Sequence, residues 1–158
     1  MKKHDISISL LAIVVCVGFA GPGCSGGNAK DVVVQNQGQL CVYPASETSG
    51  SPIVSDTTPR DYAIGDVANV AVLLECLSGS CTTNRQASCT ATLAGNMISV
   101  DATGSYHDTG ASECTLDCAF LLARCATPPL PAGTYTISYA GHTTELSVAS
   151  MVPPPCTL

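Results

Sequence analysis

The sequence predicts an all-β domain: an antiparallel β-sandwich of about seven short strands, stapled by disulfides, with a small β-barrel as the alternative closure. Three observations predict it. Apolar and polar residues alternate with a period of two through most of the chain, as half-buried strands require. Turn formers punctuate that alternation, with 14 Gly and 10 Pro in 158 residues. The chain also carries 10 Cys and only 11% charged residues, a composition suited to an oxidising compartment.

The elements follow in order. Val32-Val33-Val34 starts a short apolar strand, and Gln39 to Tyr43 a second one, stopped by Pro44. Residues 45–61 are rich in Ser, Thr and Pro and read as a polar loop. In the strand Val67 to Cys76, the residues Val70, Val72, Leu74 and Cys76 share one face. Cys89 to Leu93 and Met97 to Asp101 alternate around Gly95-Asn96, a hairpin signal, so Ile98 and Val100 are expected in the core beside Ala91 and Leu93. CAFLLAR, residues 118–124, fits either a strand or one helical turn. Gly133 to Tyr139 puts Tyr135, Ile137 and Tyr139 on one face, Ala140 to His142 turns, and Leu146 and Val148 return inward.

The first 23 residues read as an export signal. Lys2-Lys3 precedes an apolar run from Ile6 to Phe19, closed by Gly21-Pro22-Gly23. The run is shorter than the about 20 apolar residues that a membrane span needs. Cleavage after Ala20 would release a secreted protein. Cleavage after Gly23 would expose Cys24, which resembles the modified cysteine of a bacterial lipobox, although Gly21 and Pro22 depart from the usual residues there. Residues 24–31 then read as a flexible tether and 32–158 as the folded domain. Parity favours lipidation of Cys24: with Cys16 removed and Cys24 acylated, Cys41, Cys76, Cys81, Cys89, Cys114, Cys118, Cys125 and Cys156 remain, an even set. The expected location is the cell envelope, lipid-anchored to a membrane, or secreted if Cys24 is not acylated.

Eight cysteines allow on the order of a hundred pairings. Cys76 and Cys81 flank a short loop and could form a local staple. Cys114 and Cys118 could do the same or pair outward. Cys156, after Pro153-Pro154-Pro155, could pin the C-terminal end to Cys41, and Cys89 could bridge to Cys125. A long closure of that kind contributes roughly 3–5 kcal/mol by chain entropy. Metal-ligand spacing and a CxxC redox pair are both absent, so no cofactor is expected.

Two stretches carry a resemblance. Leu130 to Tyr139, with Leu146-Ser147-Val148, resembles the closing hairpin of bacterial extracellular immunoglobulin-like modules, where an L-x-x-G-x-Y-x-[VI] strand is typical. The series Cys76-x4-Cys81-x7-Cys89, then the Gly-Asn hairpin, then Cys114-x3-Cys118-x6-Cys125, resembles a group of uncharacterised Cys-rich bacterial lipoproteins. Together they span about residues 65–150. The resemblance implies an immunoglobulin-like sandwich on an exported lipoprotein and carries no catalytic residues.

Chemistry is sparse. The sequence lacks the nucleophile elbow, the zinc-protease helix motif, the P-loop and the dinucleotide fingerprint. Only 6 Lys and Arg against 12 Asp and Glu leave no footprint for a nucleic acid. His142 reads as a solvated turn residue. Asp56, Asp61 and Asp66 near one loop, and Asp108, Glu113 and Asp117 near the other, lack calcium-loop spacing. Residues 104–117 read as a surface loop, and its Tyr106, His107, Asp108 and Glu113 are the candidates for contact with a protein or glycan partner. The expected role is a non-catalytic binding, adhesion or structural module of the envelope; the alternative is a secreted, disulfide-locked inhibitor of a hydrolase, and an enzyme comes third.

Overall fold

The computed structural model describes residues 27–47 and 58–156. The expected export signal, Cys24 and residues 48–57 of the long polar loop lie outside the described residues. Within them the chain is all-β, with ten strands: β1 (Lys30–Gln35), β2 (Gln39–Pro44), β3 (Arg60–Asp61), β4 (Ala68–Leu77), β5 (Thr82–Ala94), β6 (Met97–Asp108), β7 (Ala119–Ala126), β8 (Gly133–Tyr139), β9 (His142–Val148) and β10 (Met151–Val152). The ambiguous CAFLLAR stretch is therefore strand β7, as its pairing with β4 requires.

Strand β6 organises the larger sheet. One edge pairs with β5 along its length. The other edge pairs with β1 over residues 103–108 and with β8 over residues 97–99, and β9 completes the sheet. The β6–β8 pairing is parallel, which corrects the expectation of an antiparallel domain throughout. It is possible because the chain leaves the sheet through β7 before returning as β8, and a parallel pair needs such a crossover. A second sheet runs β2-β4-β7, and β3 pairs with β10 in a short third one. Residues from both larger sheets form a single core, including Ile98, Val100 and Ile137 from the first and Val42, Val72 and Ala123 from the second.

Both expected hairpins form. Ala94 pairs with Met97 across Gly95-Asn96, and Gly95 alone has positive φ (60°), the sign pattern of a type II′ turn. Tyr139 pairs with His142 across Ala140 and Gly141, whose φ values are 51° and 80°, the type I′ pattern. His142 is thus the exposed first residue of β9. Tyr135, Ile137, Tyr139, Leu146 and Val148 are all buried, as alternation predicts. The hydroxyl of Tyr135 donates to the Pro131 carbonyl at 2.8 Å, four residues upstream. The buried hydroxyl of Tyr62 donates to the Val42 carbonyl at 2.8 Å. Tyr139 donates to the Gln37 carbonyl at 2.6 Å, and its burial pushes the phenol pKa up to about 12.

Four other local expectations need correcting. Residues 104–108 are the end of β6, not part of a loop, because β1 and β5 hold them on both sides. Lys30 and Asp31, read as tether, are already strand β1. Cys76 is exposed and Leu77 buried, the reverse of simple alternation. The cause is a β-bulge: Leu73 pairs with Leu122 and Glu75 with Leu121, so Leu74 is an extra residue and every later side chain changes face. Finally, the cysteines pair as Cys41–Cys156, Cys89–Cys125, Cys76–Cys118 and Cys81–Cys114. The first two match the expected links; the local 76–81 staple does not form, and Cys114 and Cys118 take the outward alternative, to Cys81 and to Cys76 at the end of β4.

Side chains of the second sheet crowd β6 at Gly104. A Cβ there would lie 2.6 Å from a Leu121 methyl and 2.8 Å from a Leu74 methyl. Gly104→Ala should therefore overpack the core and cost about 1–3 kcal/mol in urea unfolding; a neutral result would show that the two leucines move freely. Ala140 holds a left-handed φ that alanine resists and asparagine tolerates. Ala140→Asn should stabilise the β8–β9 hairpin by up to about 1 kcal/mol, read as a higher melting temperature.

Candidate functional site

The expected partner residues occupy the C-terminal end of β6, where strand alternation separates them. His107 points to the outer face, with Nδ1 at 2.8 Å from Oδ1 of Asp31, its register partner on β1. The Asp31 side chain is 89% exposed, so water screens the pair and it contributes at most about 1 kcal/mol. Tyr106 is half-buried, and its phenol pKa is raised by burial and by the facing Glu75 carboxylate of β4. Asp108 accepts the Gly110 N–H at 3.0 Å and shapes the turn that leaves β6. Glu113 stands exposed in the following loop. Of the four, Tyr106 and His107 border one surface depression, and Asp108 and Glu113 do not line it.

The outer face of β1, β6 and β5 instead forms a shallow polar surface. A depression of about 240 Å³ there is bordered by Asp31, Val32 and Val33 of β1, Asn84 and Gln86 of β5, and Ser105, Tyr106 and His107 of β6, so two of the expected partner residues line it. Its chemistry is mixed: amides, a hydroxyl, a carboxylate and the imidazole it holds lie beside the exposed side chain of Val33. Ser105 lies two residues before His107, and among the described residues no serine hydroxyl is hydrogen-bonded to the imidazole. Among the described residues no cluster of three or more His, Cys, Asp or Glu is placed to hold a metal ion.

The second feature is a cross-linked pole at the end of the domain where β4, β5 and β6 turn. Cys81–Cys114 and Cys76–Cys118 tie loop 78–81 to loop 109–118. A second bulge, between Thr83 and Gln86 with Asn84 at φ 51°, displaces Arg85 from regular pairing. The Arg85 guanidinium donates to the carbonyls of Ser78, Gly79 and Thr82 and to the Thr82 hydroxyl, at 2.9–3.3 Å. The Asp117 carboxylate accepts the Gly79 N–H at 3.0 and 3.1 Å and the Thr115 hydroxyl. Those bonds lower its pKa, with the Thr115 hydroxyl the largest contributor. Sequence reasoning missed Arg85 and named Asp117 only as a carboxylate without calcium-loop spacing. Each lies within four residues of a cysteine, which was the available signal, but their partners are set by the cross-loop pairing.

Because Asp117 has a lowered folded-state pKa, its hold on Gly79 is complete above the ordinary carboxylate range and is lost as pH falls through the folded value. Acidification and Asp117→Asn at neutral pH should both lower the protection factor of the Gly79 amide, its exchange rate taken relative to the intrinsic rate at the same pH, in hydrogen-exchange NMR. Core amides of β4 and β6 should be unaffected, and a slow Gly79 amide in the variant would contradict this role.

Comparison with known proteins adds no relative to this geometry: no family model, no characterised protein and no solved structure matches the chain.

Proposed function

We propose that the chain is an exported, lipid-anchored protein of the cell envelope whose folded part is a non-catalytic, immunoglobulin-like β-sandwich acting as a binding or structural module. One observation carries the reading. The eight cysteines of the folded part pair entirely among themselves, which gives Cys24 no disulfide partner within the domain and supports its reading as the acylated residue. Four disulfides also fit an oxidising, extracytoplasmic setting.

Two features support the immunoglobulin-like part. Two sheets contribute to one core, and the Tyr135 hydroxyl bonds the backbone four residues upstream, the tyrosine corner common in such sandwiches. The shallow hydroxyl- and amide-lined face of β1, β6 and β5 suits a polar partner, protein or glycan, better than a small apolar ligand.

The test is intact-mass spectrometry of the protein purified from envelope fractions. The expected species begins at Cys24, carries a diacylglycerol, and shows no free thiol after denaturation. A mature protein that begins at Gly21 or Ser25 without lipid would refute the anchor, and several free thiols would refute the exported, fully cross-linked domain.

A further inference from the structure

The first described residues run straight into the cross-linked pole. Lys30 pairs with Asp108, and Asp108 pairs on its other side with Thr82. Before Lys30, the backbone lies against the turn after β6: a Cβ on Gly110 would meet the Gly27 carbonyl at 2.0 Å and the Ala29 nitrogen at 2.8 Å, and Gly110 has φ +67°. Only glycine permits that contact. Thr109, next to Gly110, donates from both N–H and hydroxyl to the Cys81 carbonyl. The segment that precedes the domain therefore docks beside Cys81–Cys114.

Chain length then sets an orientation. Three residue steps separate Cys24 from Gly27, at most about 11 Å of extended chain. An acyl group on Cys24 would hold Gly27, docked at this pole, within that reach of the lipid headgroups. The pole carries a side chain suited to that position. Leu116, in the three-residue span between Cys114 and Cys118, is fully exposed, and Phe120, at the start of β7, is 47% exposed. A lone exposed leucine is ordinary on a protein surface. Here it tops a loop locked by two disulfides and by Asp117, so burying it costs little additional ordering. Charge narrows the choice of surface, since Asp31, Asp108, Glu113 and Asp117 outnumber Lys30 and Arg85 at this end.

We infer that the 114–118 loop is a membrane-seating device: with Cys24 acylated, Leu116 inserts at the headgroup–acyl boundary of a bilayer rich in zwitterionic lipid, and the β5–β6 hairpin at Gly95 points away from the membrane. The inference rests on the lipid-anchor reading. The hairpin lies roughly 40 Å from the pole along β5.

The chain contains no tryptophan, so one can be placed as the only indole. Leu116→Trp and Ala94→Trp are prepared as full-length protein purified from membranes. Each is reconstituted into phosphatidylethanolamine–phosphatidylcholine vesicles with and without phospholipids brominated high on the acyl chain, and intact mass is read on the same samples. The expected result is a blue-shifted emission and loss of fluorescence to bromine for Leu116→Trp, with neither for Ala94→Trp. Lipidated protein in which the two probes behave alike overturns the seating and leaves the anchor standing. A sample whose mass lacks the lipid overturns both together.

Discussion

A strand paired along both edges cannot slip, and β6 is that strand. Between residues 97 and 108 it is held by β5 on one side and by β8 and then β1 on the other. Its register therefore decides which side chains meet the second sheet and which meet solvent. Ile98, Val100 and Ala102 are buried in sequence, and Gly104 follows on the same face. At Gly104 the second sheet comes so near, through Leu74 and Leu121, that only a hydrogen fits. Beyond it the same alternation sends Tyr106 towards Glu75 and His107 towards Asp31. The opposite directions of the Tyr106 and His107 side chains are a direct consequence of this register.

Covalent links do the work that a large aromatic core does elsewhere. With two Phe and no Trp in the chain, the core is mostly aliphatic, and each disulfide secures a place where backbone pairing stops. Cys89–Cys125 joins the β5 edge of one sheet to the β7 edge of the other. Cys41–Cys156 closes 115 residues and lays the C-terminal arm along β2, where the Val42 N–H donates to the Pro155 carbonyl. That arm covers backbone groups which an open edge strand would present to other chains. The remaining two links hold loops that carry little apolar surface of their own, so order there comes from cross-links, Arg85 and Asp117.

Elements that stand on local rules were legible in the sequence. The 133–148 hairpin has clean alternation and a two-residue turn, and its inward residues are the expected ones. The 89–101 hairpin was legible for the same reason, though its strands extend further than they read. Thr103-Gly104-Ser105 looks like a break because glycine weakens an isolated strand; here it is the condition for sheets to meet. The bulge at Leu74 left no local mark, since Leu73, Leu74 and Glu75 fit either register until β7 is placed beside them. The disulfides divided along the same line. Links that join strands followed from where the strands had to be, whereas the pole links connect two loops whose proximity depends on β4, β5 and β6 turning at one end.

The candidate surfaces inherit this difference. The outer face of β1, β6 and β5 is regular, with side chains spaced by the pleat and little concavity, so it can offer a repeating set of weak polar contacts. The pole is irregular and its shape is carried by cystines and backbone bonds, so its exposed residues can vary without loss of the fold. Leu116 has no packing role in the domain, and nothing in the core depends on it. Gly110 is different: it is required for the preceding segment to lie down beside Cys81. A glycine needed only to seat the entering chain, next to loops locked by two disulfides, ties the direction in which the domain is held to the same residues that make its end rigid.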